Sequence, residues 1–158
     1  MGFTDSDFQS DVDDRKSISG FVFTCNGGAV SWKSSKQSIT ADSTTEAEYI
    51  AASVAAKEAV WIRKFVSKLG VVPSIESAVP LLCDNNRALA KEPRSHQKSK
   101  HIERRYHVIR ELVGKGDVLV QKVASADNVA DPLTKVLTQL QLDHHLVKMG
   151  LRYYSEWH

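Results

Sequence analysis

The sequence predicts an α/β fold, a mixed sheet with helices packed on it, and three observations carry that expectation. Residues 2 to 41 are dense in β-forming residues around a hairpin signal. Residues 43 to 70 sustain helical periodicity between a capping signal and a glycine stop. Beyond them, short apolar runs alternate with helical segments, giving the order βββ, α, β, α, α, β, α. No internal repeat or linker interrupts that order.

Residues 2 to 8 mix apolar and polar positions as a short strand does, and the polar stretch Ser10 to Lys16 turns the chain. Gly20-Phe21-Val22-Phe23-Thr24-Cys25 is a β-rich run. Asn26-Gly27-Gly28 supplies the residues that tolerate the positive φ of a tight hairpin. Ala29-Val30-Ser31-Trp32-Lys33 returns as its partner, and Gln37 to Ala41 is a further pairing segment, so the chain opens with a three-stranded antiparallel meander. Trp32 reads there as a core residue, with a base-stacking platform as the alternative.

Ser43-Thr44-Thr45-Glu46 has the form of a capping box, and Gly70 suits the left-handed residue that ends a helix. Pro80-Leu81-Leu82-Cys83 is a buried strand that runs into Asp84. Asn85 to Lys91 is a short helix ended by Pro93. His101 to Gly114 is another, with Ile102, Tyr106, Ile109 and Val113 on one face. Val118 to Val123 is a strand, Asn128 onward returns to helix, and Gly150 closes a final one.

The chain has 158 residues, 42% apolar and 25% charged, the profile of one soluble globular domain. Such a length buries roughly 70% of the unfolded surface and needs neither disulfide nor structural metal. Cys25 and Cys83 sit in apolar runs and read as reduced core thiols, which favours an intracellular setting. No apolar run approaches the ~20 residues of a membrane span. Collagen, coiled coil, disordered tail and secreted mini-protein are excluded. The net charge of +2 conceals a segregation. Asp5, Asp7, Asp11, Asp13 and Asp14 cluster without a base, whereas residues 91 to 115 hold eight bases against three acids. An acidic and a basic cluster on one domain suit metal-assisted work on a polyanion, or else a salt-bridged surface.

Four acids fall at the ends of predicted elements: Asp5, Glu48, Asp84 and Asp131. Carboxylates brought to one sheet edge repel one another unless a hard cation neutralises them. Helix register separates Glu48 from Glu46. Glu48 shares a face with Ala51, Ala52, Ala55 and Ala59, a smooth face that lets a helix approach a sheet closely, whereas Glu46 is explained by capping. Each acid also has a plain structural reading. Asp7 and Asp11 lie close enough to replace Asp5. Glu48 is the box partner if Thr45 is the cap. Asp84 suits the cap of the following helix, and Asp131-Pro132 has the form of a helix start.

Longer blocks join these acids. Phe3-Thr4-Asp5, Glu46-Ala47-Glu48-Tyr49, Leu82-Cys83-Asp84-Asn85 and Ala130-Asp131-Pro132-Leu133-Thr134-Lys135 resemble the ribonuclease H domain of a copia-type LTR retrotransposon polyprotein. Ser31-Trp32-Lys33-Ser34, Ser99-Lys100-His101-Ile102 and Arg105-Tyr106-His107 add to the resemblance, which spans roughly residues 2 to 137. It implies a ribonuclease H-like mixed five-stranded sheet, the antiparallel meander plus parallel strands, flanked by helices. It also implies a domain over 1–137 and a C-terminal helical extension over 138–158.

The implied activity is hydrolysis of the RNA strand of an RNA–DNA hybrid, leaving 5′-phosphate and 3′-hydroxyl ends. Two Mg²⁺ ions, with Mn²⁺ as substitute, would be held by Asp5, Glu48, Asp84 and Asp131. Ser6, Asn85 and Asn86 are candidates by position for contacting the hybrid, and Lys98, Lys100, Arg104 and Arg105 for gripping its phosphates. The implied partner is the reverse transcriptase domain of the same polyprotein, in a cytoplasmic virus-like particle or the nucleus. The family's wider relatives carry a histidine in the loop before the last aspartate. Here that loop, Val123 to Asn128, has none, and His101 and His107 are the candidate substitutes. A domesticated copy, weak or inactive, would instead keep the fold as a nucleic-acid or protein binding module. A paired-carboxylate glycosidase is the remaining rival, and the scattered Trp32, Trp61 and Trp157 count against it.

Overall fold

The computed structural model describes residues 1–70, 77–85 and 100–153. In chain order the elements are β1 (Gly2–Asp7), β2 (Ile18–Cys25), β3 (Gly28–Lys36), α1 (Thr44–Leu69), β4 (Val79–Cys83), α2 (Lys100–Gly114), β5 (Val118–Lys122) and α3 (Gln139–Lys148), with 3-10 turns at Ser125–Asp127 and Asp131–Leu133. The five strands form one sheet in the order β3-β2-β1-β4-β5. β1, β2 and β3 pair antiparallel, while β4 runs parallel to both β1 and β5. This is the mixed sheet that the sequence predicts.

Strand alternation sorts side chains to two cores. Phe21, Phe23, Leu81 and Val118 meet Ala55, Ala56 and Ala59 of α1 on one face. Phe3 and Val22 meet Val129, Ala130 and Met149 on the other. Side chains no larger than a methyl let α1 lie close on the sheet, and Ala47, Ala51, Ala52, Ala55, Ala56 and Ala59 are all fully buried. The Ser43 hydroxyl accepts from the Glu46 N–H at 3.1 Å. The Glu46 carboxylate reaches one residue further back, accepting from the Asp42 N–H at 2.8 Å. Gly70 ends the helix at φ 65°. α2 packs on α1 through Tyr106 and Ile109, with Tyr49 and Tyr106 edge to face at 5.7 Å. Val113, expected on this face, lies in the last turn of α2 and is exposed.

Several expectations are corrected. Gln37 to Ala41 is not a strand, because β3 already ends at Lys36. Gln37 instead turns inward, its carboxamide donating to Ser19 Oγ at 2.7 Å and to the Ala47 carbonyl at 3.0 Å. Cys83 is buried, but Cys25 is exposed at the mouth of the β2–β3 hairpin, past a register shift between Phe23 and Thr24. Trp32 is 63% exposed, since β3 is an edge strand. The helix expected from Asn128 onward is absent. A 3-10 turn follows, and α3 begins only at Gln139. The buried Asn128 carboxamide donates to the Thr4 carbonyl at 3.0 Å and accepts from the Ala130 N–H at 3.3 Å, so the chain is tied to β1 where a helix would have led it away. From Asn86, the helix expected over 85–91 lies outside the described residues.

The C-terminal segment is packed against the hairpin. Thr138 and Gln141 form a reciprocal capping box at the start of α3. Beyond α3, Met149 is buried beneath Val22, and its carbonyl accepts from the Ala29 N–H at 2.8 Å. Gly150, at φ 70°, passes so close to Gly27 that a Cβ would lie 2.2 Å from the Gly27 carbonyl oxygen. No helix among the described residues is long and apolar enough to cross a membrane.

Candidate active site

The site lies where the parallel strands β1 and β4 end. In open α/β sheets, crevices form at the carboxyl ends of such strands. Asp5 is two residues beyond Phe3 on the same face of β1 and is only 1% exposed. Asp84 is the first residue past β4. Glu48 sits on the second turn of α1, where the alanine face below it brings the helix down onto the sheet. Carboxylate oxygens of Asp5, Glu48 and Asp84 all lie within 4.8 Å of one another. Three elements distant in sequence thus deliver acids to one point.

Asp131 adjoins this group without entering it. It opens the 3-10 turn Asp131–Leu133, and Ala130 is the N-cap with no side-chain cap bond. Its carboxylate therefore does not cap the turn as the Asp-Pro pattern allows. It faces Lys135, whose Nζ lies 3.3 Å from Asp131 Oδ1 and 3.4 Å from Asp5 Oδ2. Thr134 Oγ1 also donates to Asp5 Oδ2. Ser125 Oγ donates to Asp84 Oδ2 at 3.0 Å.

Burial and mutual repulsion set the electrostatics. Burial pushes the Glu48 carboxyl up to about 8, and the charges of Asp5 and Asp84 push the same way against a hydrogen bond with Ser6 and the pull of Lys135. Burial also raises Asp5, opposed by Thr134 and Lys135. Asp131 rises to about 6 through burial and then Asp5, again against Lys135. Burial alone would lower the Lys135 ammonium, but Asp5 and Asp131 outweigh it and its net shift is upward. Glu48 Oε2 is buried with no hydrogen-bond partner among the described residues.

The remaining candidates separate. Ser6 bonds to Glu48, and Asn85 is exposed just past Asp84. Arg104 is exposed on α2, whereas Arg105 donates to Ser53 Oγ at 3.0 Å and ties α2 to α1. Asn86 and Lys98 lie outside the described residues. Lys100 opens α2, but its side chain is outside them too, as is that of His101. His107 is exposed, 3.8 Å from Glu103. His144 and His145 of α3 line a cleft of about 520 Å³ with Ser125 and Asp131. Of the acids at 5–14, only Asp5 belongs to the site. Asp11 and Asp14 pair with Lys36 in the β1–β2 loop. Sequence reasoning missed Thr134, Lys135, Ser125 and Asn128 as site-building residues. The signal for the first two is their spacing, three and four residues past Asp131 within one turn.

No family model matches the chain. It is 43% identical over 152 residues to the Retrovirus-related Pol polyprotein from transposon TNT 1-94 of Nicotiana tabacum, covering 94% of this chain and 11% of that protein. It is 33% identical over 151 residues to the corresponding polyprotein from transposon RE2 of Arabidopsis thaliana, covering 94% and 10%. The chain therefore spans about a tenth of the length of these curated relatives. Among solved structures, LC11-RNase H1 in complex with RNA/DNA hybrid superposes with a TM-score of 0.57 at 17% identity, covering 84% of this chain and 91% of that one. By sequence, then, this chain is homologous to one segment of the Pol polyproteins of copia-type retrotransposons, and it has a ribonuclease H-like fold.

Proposed function

We propose that this domain is a metal-dependent endonuclease that hydrolyses the RNA strand of RNA–DNA hybrids during reverse transcription. The observation that carries the reading is the convergence of Asp5, Glu48 and Asp84 within 4.8 Å. An all-oxygen, anionic donor set suits a hard divalent cation. A buried carboxylate oxygen without a partner, as at Glu48, is costly unless a cation meets it. Asp5, Glu48, Asp84 and Asp131 would hold Mg²⁺, with Mn²⁺ substituting. When bound there, such ions supply an activated water and neutralise charge on the departing oxygen.

The chain's own residues prepare that chemistry. Thr134 fixes one oxygen of Asp5, and Ser125 fixes one oxygen of Asp84. Burial on the sheet keeps the dielectric low around Asp5 and Glu48, so charges there act strongly. Asn85, beside Asp84, would meet a 2′-hydroxyl together with Asn86, next in sequence, and Ser6 would do so from the Glu48 side. Lys98, Lys100, Arg104 and Arg105 would grip phosphates. The hybrid bound by LC11-RNase H1 supports the substrate class, and the Pol relatives support a reverse transcriptase domain of the same polyprotein as partner.

The test is Asp84→Asn, which keeps the shape of the side chain and its contact with Ser125. Mg²⁺-dependent cleavage of a labelled RNA–DNA hybrid falls by more than about a hundredfold, while the circular dichroism spectrum and melting temperature stay close to wild type. Undiminished cleavage by the folded variant would overturn the assignment.

A further inference from the structure

Lys135 places an ammonium group between two of the four acids, 3.4 Å from Asp5 and 3.3 Å from Asp131, with its side chain 35% exposed and the acids nearly closed from solvent. The same turn holds Asp5 a second time through Thr134. A divalent ion on the Asp5–Asp131 side needs these carboxylates at roughly 2.0–2.1 Å for Mg²⁺. An ammonium in hydrogen-bonding range of both and a doubly charged ion between them would repel each other strongly at such separations. One cation has to leave before the other is seated.

We propose that Lys135 is a resident counter-cation: it holds the acid cluster together while the site is metal-free, and it is exchanged for a divalent ion on the Asp5–Asp131 side. This rests on the nuclease reading above. The arrangement explains how buried acids can be kept together without a metal, because among the described residues Lys135 is the one cation paired with both Asp5 and Asp131. It also makes Lys135 a positioning residue. Its length and its exposed stem let the ammonium swing outward when displaced, where a strand phosphate would be the natural next partner.

The exchange predicts opposite effects on stability and on metal affinity. Lys135→Gln melts earlier than wild type in EDTA, because the acids lose their counter-charge. It also binds Mg²⁺ about tenfold more tightly, read as the midpoint of the melting-temperature rise in a Mg²⁺ titration, because no bound cation has to be displaced. A residue that merely braces the turn would lower the melting temperature at every Mg²⁺ concentration and leave the midpoint unmoved. A second measurement needs no variant. In the wild-type chain, the Lys135 Nζ resonance shifts as Mg²⁺ is added, over the same concentrations as the melting response. An unchanged midpoint in Lys135→Gln, a weakened one, or a static Nζ resonance would each overturn the exchange while leaving hybrid cleavage by wild type intact. A wild-type chain that neither responds to Mg²⁺ nor cleaves hybrid would overturn the nuclease reading as well.

Discussion

At the residue scale Asp5, Glu48 and Asp131 are held above their ordinary protonation range by burial and by neighbouring carboxylates. This gives the metal-free domain a characteristic pH response. Glu48 keeps its proton up to about 8 in the folded state, against 4.5 ordinarily. Asp131 keeps its own up to about 6, against 3.8. Between those ordinary and folded values the folded state binds more protons than the unfolded one, so stability falls as pH rises. The contribution is complete below about pH 4 and is lost as pH climbs toward 8. In EDTA the melting temperature should therefore drop by several degrees between pH 5 and 8, beyond the change in a Glu48→Gln, Asp131→Asn double variant. Saturating Mg²⁺ should flatten the slope, since a bound ion favours the ionised carboxylates.

Glu48 was readable in the sequence, because helix periodicity alone puts it on the alanine face. Asp131 was readable only within its block, since Asp-Pro by itself fits an ordinary helix start. Thr134 and Lys135 were visible as letters but not as partners of Asp5, because that pairing depends on a contact across 129 positions of sequence. Local patterns do not encode such distances.

At the scale of elements, most strands and α1 follow from propensity and periodicity, and their ends match their caps. The failures fall at Gln37 to Ala41 and between Asn128 and Thr138, where tertiary bonds override local preference. Gly20 shows how tightly that segment is fitted. It is the register partner of Asp5, and a Cβ there would lie 2.8 Å from both Leu133 Cβ and Thr134 Cγ2 and 3.3 Å from the Ala130 carbonyl oxygen. The absent side chain on β2 is what allows the Asp131 turn to lie against the sheet. Gly20→Ala should push that turn outward, destabilising the domain by about 1–3 kcal/mol as overpacking does. Hybrid cleavage should fall more than the loss of folded protein accounts for, and urea unfolding beside initial cleavage rates checks both.

At the scale of the molecule, the near-zero net charge conceals the segregation of acids and bases along the sequence, and on the acidic side that segregation is narrower than it appeared. Asp11 and Asp14 are paired with Lys36 in a loop, and Arg105 braces one helix against another. Arg104 remains as an exposed base of α2 for a polyanion. Affinity for an RNA–DNA hybrid should thus fall steeply with added salt, and Arg104→Ala should lower the slope of log affinity against log salt by about one. A fluorescence-anisotropy titration at several salt concentrations measures this. An unchanged slope would place the phosphate contacts elsewhere.

The central position of β1 has a kinetic side. The first strand made is flanked by β2, which follows at once, and by β4, which leaves the ribosome some seventy residues later. Asp5 acquires Thr134 and Lys135 later still. Long closures of this kind are slow to form and come late in folding. During vectorial synthesis, a nascent chain halted before residue 131 can have its meander and long helix in place and still lack one side of the acid cluster. The acid cluster and its Thr134 and Lys135 contacts are therefore complete only once the chain through Lys135 has been made.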